Sequence, residues 1–132
     1  MKEIFKSARY FTFFDFVISH GQLLLRSQKN DDLTNNIDII FSGTTYIQSF
    51  SRLNGLRISI IETNKSIIDY GTVKKYLDYD NNYLFEIECK KEKYFIAASF
   101  VRVFENQLKF SESSLNTDDK GRGIEIATSL IT

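Results

Sequence analysis

The single histidine, His20, follows Ser19 and stands five residues after Asp15. A nucleophilic hydrolase needs a hydroxyl, an imidazole and a carboxylate in one hydrogen-bonded line. Successive residues of an extended chain point to opposite faces, so the Ser19 hydroxyl is poorly aimed at the His20 ring. A histidine in a tight turn is the better reading. Asp78, Asp80 and Asn82 match the opening of a calcium loop, D-x-D-x-N. The match then fails, with Tyr83 where the loop needs glycine and Cys89 where it needs a bidentate glutamate. An acidic hairpin turn accounts for the run. With one histidine and one cysteine, a structural zinc site lacks ligands unless chains share it.

Glu86 and Glu88 lie two apart on one strand face, with α-carbons roughly 7 Å apart. A general acid needs surroundings that raise its pKa, and none are expected here, so the pair reads as a solvated face. Cys89 falls on the inward side of the same strand and reads as a small buried hydrophobe. Lys74, Lys75 and Tyr76, and then Lys90, Lys91, Lys93 and Tyr94, mix cations with aromatics as single-strand nucleic-acid binders do. Asp78, Asp80, Glu86, Glu88 and Glu92 dilute that charge. Gly121-Arg122-Gly123 lacks the further glycine and the strand-to-helix context of a phosphate loop. These residues assemble no catalytic group, and no cofactor or metal is expected.

Seventeen basic residues balance seventeen acidic ones over 132 residues, which argues against nucleic acid and anionic membranes as partners. Lys2, Lys6 and Arg9 ahead of the apolar stretch 10–14 imitate a secretory signal, but Glu3 and Asp15 interrupt it and no small-residue cleavage site follows. A lone cysteine rules out an internal disulfide framework. The expectation is a cytoplasmic chain with one domain over 1–132.

Twelve Phe, seven Tyr, no Trp and no Pro bias the chain toward strand. Asparagines at 30, 35, 36, 54, 64, 81 and 82 serve as turn formers. Residues 11–19 and 22–28 flank His20 and Gly21, which predicts a two-residue hairpin whose paired positions sum to 41. Phe16 then faces Leu25, Ile18 faces Leu23, and Asp15 faces Arg26 as an opposite-charge pair. A second hairpin is expected about Ser42 and Gly43, joining 37–41 to 44–48. Leu56, Ile58 and Ile60 alternate with Arg57 and Ser59. Tyr83, Phe85, Ile87 and Cys89 alternate with Glu86, Glu88 and Lys90, giving a half-buried strand. A turn at Glu92 and Lys93 would set Phe85 against Phe100 and Ile87 against Ala98. Residues 66–77 fit helix or strand, with strand preferred. Residues 124–131 read as a last strand, and 111–123 as a mobile polar loop.

The expected fold is mainly β: an antiparallel meander forming a rolled sheet, small barrel or sandwich, with room for one short helix. Without proline, apolar strand edges need cover, so an edge or face is expected to meet another protein chain in a homodimer or heterocomplex. The leading function is a non-enzymatic protein-binding module, of the kind small intracellular immunity or inhibitor proteins represent. The alternative is a β-barrel with an aromatic-lined cavity for a small ligand. Candidate contacts are Asn30, Asp31 and Asp32 in a polar loop, with Tyr46, Tyr76 and Tyr79 as aromatic anchors.

Overall fold

A computed structural model describes residues 1–61 and 82–130. Their alternating apolar positions build nine antiparallel strands: β1 (Lys2–Val17), β2 (Gln22–Ser27), β3 (Asn36–Ser42), β4 (Tyr46–Gln48), β5 (Arg52–Ile61), β6 (Tyr83–Cys89), β7 (Glu92–Ala98), β8 (Phe100–Asn106) and β9 (Ile124–Thr128). They form one open sheet in the order β4-β7-β6-β5-β1-β2-β3-β8-β9. Two 3₁₀ turns, Ser19–Gly21 and Ser114–Asn116, complete the described residues, which contain no α-helix. The expected mainly β fold is therefore present, as a rolled open sheet. The helix-or-strand question over 66–77 lies outside the described residues.

The roll follows from β1, which is long enough to serve two neighbours. Lys2 to Thr12 pair with β5, and Thr12 to Val17 pair with β2. Three register shifts interrupt these ladders, and bulges of this kind bend a strand and increase its twist. A second bend carries β3 into β4 opposite the join of β7 and β8. There the Ser99 N–H donates to the Ser42 carbonyl and the Thr45 N–H to the Ala97 carbonyl, each at 2.9 Å. The sheet thus folds over its own inner face. Phe41 of β3 and Phe85 of β6, well separated in strand order, meet edge to face at 5.6 Å between ring centroids. Around them Phe11, Leu25, Ile39, Leu53, Ile58, Ile87, Ile96 and Val103 are fully buried or nearly so.

Several registers differ from those read in the sequence. At the first hairpin His20 and Gly21 do take positive φ, +66° and +54°. The connection, however, is a 3₁₀ turn closed by the Gly21 N–H on the Ile18 carbonyl. Phe16 consequently faces Leu23, and Asp15 faces Leu24 rather than Arg26. The proposed hairpin about Ser42 and Gly43 does not form: β3 pairs with β2 and β8, and β4 with β7. In the β6–β7 hairpin Cys89 pairs with Glu92, placing the turn at Lys90 and Lys91, with Lys90 at φ +59°. Phe85 faces Ile96 and Ile87 faces Tyr94. That register differs from the expected one by an even number, so the apolar faces still coincide.

Candidate functional site

Charges in the middle of two otherwise apolar strands define the most organised polar centre. In β2, Arg26 follows three leucines; in β3, Asp38 lies between isoleucines. The two are direct cross-strand partners. Both faces of these strands are covered, so neither side chain reaches water, and each needs a partner of opposite charge. The guanidinium forks onto the carboxylate, Nε to Oδ1 at 2.6 Å and Nη2 to Oδ2 at 2.8 Å. Arg26 Nη1 donates to the Glu112 carbonyl at 2.7 Å, and the Phe14 ring lies 4.3 Å from the guanidinium carbon. Asn106 donates to Asp38 Oδ2 at 2.9 Å and accepts from Asn36, which also donates to the Leu108 carbonyl.

This centre fastens residues 107–123 across the outer face of β2, β3 and β8. Leu115 enters a second apolar cluster with Leu24, Ile40 and Phe104. On β1 ordinary alternation sends Phe13 into the main core and Phe14 into the second cluster, and the bulge between Phe13 and Asp15 puts Asp15, opposite Leu24, on that outer side as well. Asp15 accepts the Ser113 hydroxyl at 2.5 Å. Arg122 donates to the Ser114 carbonyl, and Arg102 pairs with Asp119 and Glu125. Burial works against the Arg102 charge, but hydrogen bonds and attraction from Glu125 and Asp119 outweigh it and raise its pKa. The polar loop expected over 111–123 is largely exposed, but it is tied to the sheet where Ser114 and Leu115 are buried and where Ser113, Asp119 and Arg122 make side-chain bonds.

Chemically, the centre is a clamp. Both Asp38 oxygens accept hydrogen bonds, and three Arg26 nitrogens donate. Asp15 serves Ser113 and the Phe16 N–H, while the His20 carbonyl accepts from the Gly43 N–H. Glu86 is not in water, as its alternation predicts, but buried at 4% exposure opposite Ser59 and Phe95, with Lys93 Nζ 3.8 Å away. Its face of β6 is covered because Leu84, Ile61, Tyr46 and Phe95 cluster there. Arg9 closes the gap where β1 leaves β2, donating to the carbonyls of Ser27, Gln28 and Asn35. Burial lowers its pKa, opposed by the attraction of Glu105.

The candidate contacts fall in separate places. Asn30, Asp31 and Asp32 are exposed on the β2–β3 connection, where Asn30 Oδ1 accepts the N–H groups of Asp32 and Leu33 and shapes the turn. Tyr46 is half-buried on edge strand β4. The structure does not bring these two groups onto one strand or loop, and Tyr76 and Tyr79 lie outside the described residues.

A different surface stands out. Strand β9 ends the sheet and carries exposed Ile124 and Ile126, at 73% and 40%, with Leu130 beyond it. Its one charged residue, Glu125, is held by Arg102. An open depression of about 620 Å³ adjoins its start, lined by Asn35, Glu105, Leu108, Lys109, Glu112 and Ile124 among others. Sequence reading expects a last strand over 124–131, and the structure forms it as β9 (Ile124–Thr128). Residues 124, 126 and 130 look outward, while Ala127 packs on the core.

Comparisons with family models, with curated proteins and with solved structures find no match for this chain.

Proposed function

We propose that this chain is a non-enzymatic protein-binding module whose contact surface centres on β9. The carrying observation is that β9 ends the sheet among the described residues, with Ile124 and Ile126 turned to solvent and the strand's charge already neutralised. Exposed strand edges of this composition accept a further strand, main chain giving affinity and alternate side chains giving specificity. The clamp below residues 107–123 supports the same reading, because it holds the start of β9 and the adjoining depression in a fixed shape, which lowers the entropic cost of association. The packed interior, with Phe41 against Phe85, favours a protein contact over a ligand-holding barrel.

The test compares the chain with its I124K/I126K variant. Light scattering over a concentration series reads self-association, and affinity capture from the native cell reads a second protein. Hydrogen exchange reports protection over 124–128 in any complex obtained. Loss of the complex in the variant, with its circular dichroism unchanged, is the expected result. A complex that forms equally well with the variant, or a chain that stays monomeric and captures nothing, overturns the proposal.

A further inference from the structure

We propose that Asn54 and Gly55 form a site of spontaneous deamidation, and that the basic depression around them stabilises the oxyanion formed on the way. The chain contains one Asn-Gly dipeptide, and the structure sets it within β5. In such a pair the glycine nitrogen attacks the asparagine side-chain amide carbon. A carbon–nitrogen bond forms and the bond to the amide nitrogen breaks. The glycine proton leaves to solvent, and the amide nitrogen takes a proton from solvent and departs as ammonia. Water then opens the cyclic imide to aspartate or isoaspartate, so a neutral side chain becomes an anion and solvent is the only co-reactant.

Two things normally protect an asparagine inside a strand. The regular ladder holds the next nitrogen away from the side chain, and the next side chain shields it. Here the ladder is interrupted, and glycine carries no shielding side chain. Between the pairs Ser7 with Leu56 and Tyr10 with Asn54, two residues of β1, Ala8 and Arg9, oppose Gly55 alone. Gly55 takes φ +80° in this bulge, and the Arg9 N–H turns to the Ser7 hydroxyl at 3.1 Å. Nothing lies within 3.7 Å of the position a Gly55 Cβ would occupy, and Asn54 itself is exposed.

The surroundings supply the second observation. Asn54 and Gly55 line a depression of about 220 Å³ together with Lys6, Arg57, Lys90 and Glu88. Arg57 is matched by Glu3 at 3.1 Å and Glu88 at 3.4 Å. Lys6 and Lys90 make no salt bridge among the described residues, so the depression is locally cationic on a chain of zero net charge. Cations beside the amide favour the tetrahedral oxyanion and then the product carboxylate. Lys90 is held there in a left-handed conformation by the β6–β7 turn.

The experiment incubates the folded protein in mildly alkaline buffer. Amide-to-carboxyl conversion is followed by peptide mass mapping, and isoaspartate by enzymatic methyl labelling. Parallel samples hold the chain in denaturant and the K6Q/K90Q variant in its folded state. Expected are conversion at residue 54 ahead of every other asparagine in the folded chain, and a several-fold slower rate in K6Q/K90Q. A folded chain that preserves Asn54 while the denatured chain converts it overturns the proposal. An unchanged rate in a K6Q/K90Q protein of native circular dichroism overturns the role given to the two lysines.

Discussion

Replacing Asp38 with alanine strands the Arg26 guanidinium in a site that water does not reach. Wild-type Arg26 is met by both Asp38 oxygens, at 2.6 and 2.8 Å, by the Glu112 carbonyl at 2.7 Å and by the face of Phe14. Removing one partner of a buried ion pair costs about 3–5 kcal/mol, because the remaining charge is neither solvated nor matched. Asn106 also loses an acceptor, though its bond to the Arg122 carbonyl remains. A loss of about 4 kcal/mol is therefore expected, a large share of the roughly 5–15 kcal/mol that stabilises a typical domain. With a urea slope of about 2 kcal/mol/M for a chain of this size, the unfolding midpoint falls by about 2 M. The double variant R26M/D38L removes both charges. It should recover to within about 1–2 kcal/mol of wild type, the remainder reflecting the Glu112 carbonyl and Asn106 left without their partners. Hydrogen exchange should show residues 107–123 opening first in Asp38→Ala. A loss below about 1 kcal/mol for D38A, or a double variant as unstable as the single one, refutes the reasoning.

Two further substitutions test local geometry. Gly123 has φ +96°, and a Cβ there would drive into the Glu105 carbonyl oxygen, so Gly123→Ala should lower stability by about 2–4 kcal/mol and release protection over 124–128. Lys90 holds φ +59° at the β6–β7 turn, so Lys90→Gly should raise stability by about 0.5–1 kcal/mol and the urea midpoint with it, the strain relieved outweighing the added freedom of the unfolded chain. A midpoint unchanged or lower in K90G contradicts the strain argument.

Much of the fold is legible in single segments. Alternation at Leu56, Ile58 and Ile60, and at Phe85 and Ile87, marks core faces, because side-chain direction in a strand repeats every second residue. His20 and Gly21 mark the first turn because both tolerate positive φ. Register was less legible. A bulge or an alternative turn shifts pairing without altering the pattern that was read, as at Phe14 and at Lys90. The polar centre was half visible: Arg26 and Asp38 each interrupt an apolar strand, and a charge within a strand covered on both faces needs a mate. Sequence reading gave Arg26 to Asp15, because a two-residue loop at His20 and Gly21 would set those positions opposite each other, whereas the 3₁₀ turn and the bulge set Asp15 opposite Leu24.

The amino-acid sequence by itself determined that this chain is mainly antiparallel sheet, because that follows from residue type and spacing along single segments. Only tertiary structure decided which charge meets which, that residues 107–123 are a cover, that Glu86 is buried and that Ile124 and Ile126 are not. Those outcomes depend on what crosses each face from distant parts of the chain, and alternation records that a strand has two faces without recording which of them is covered.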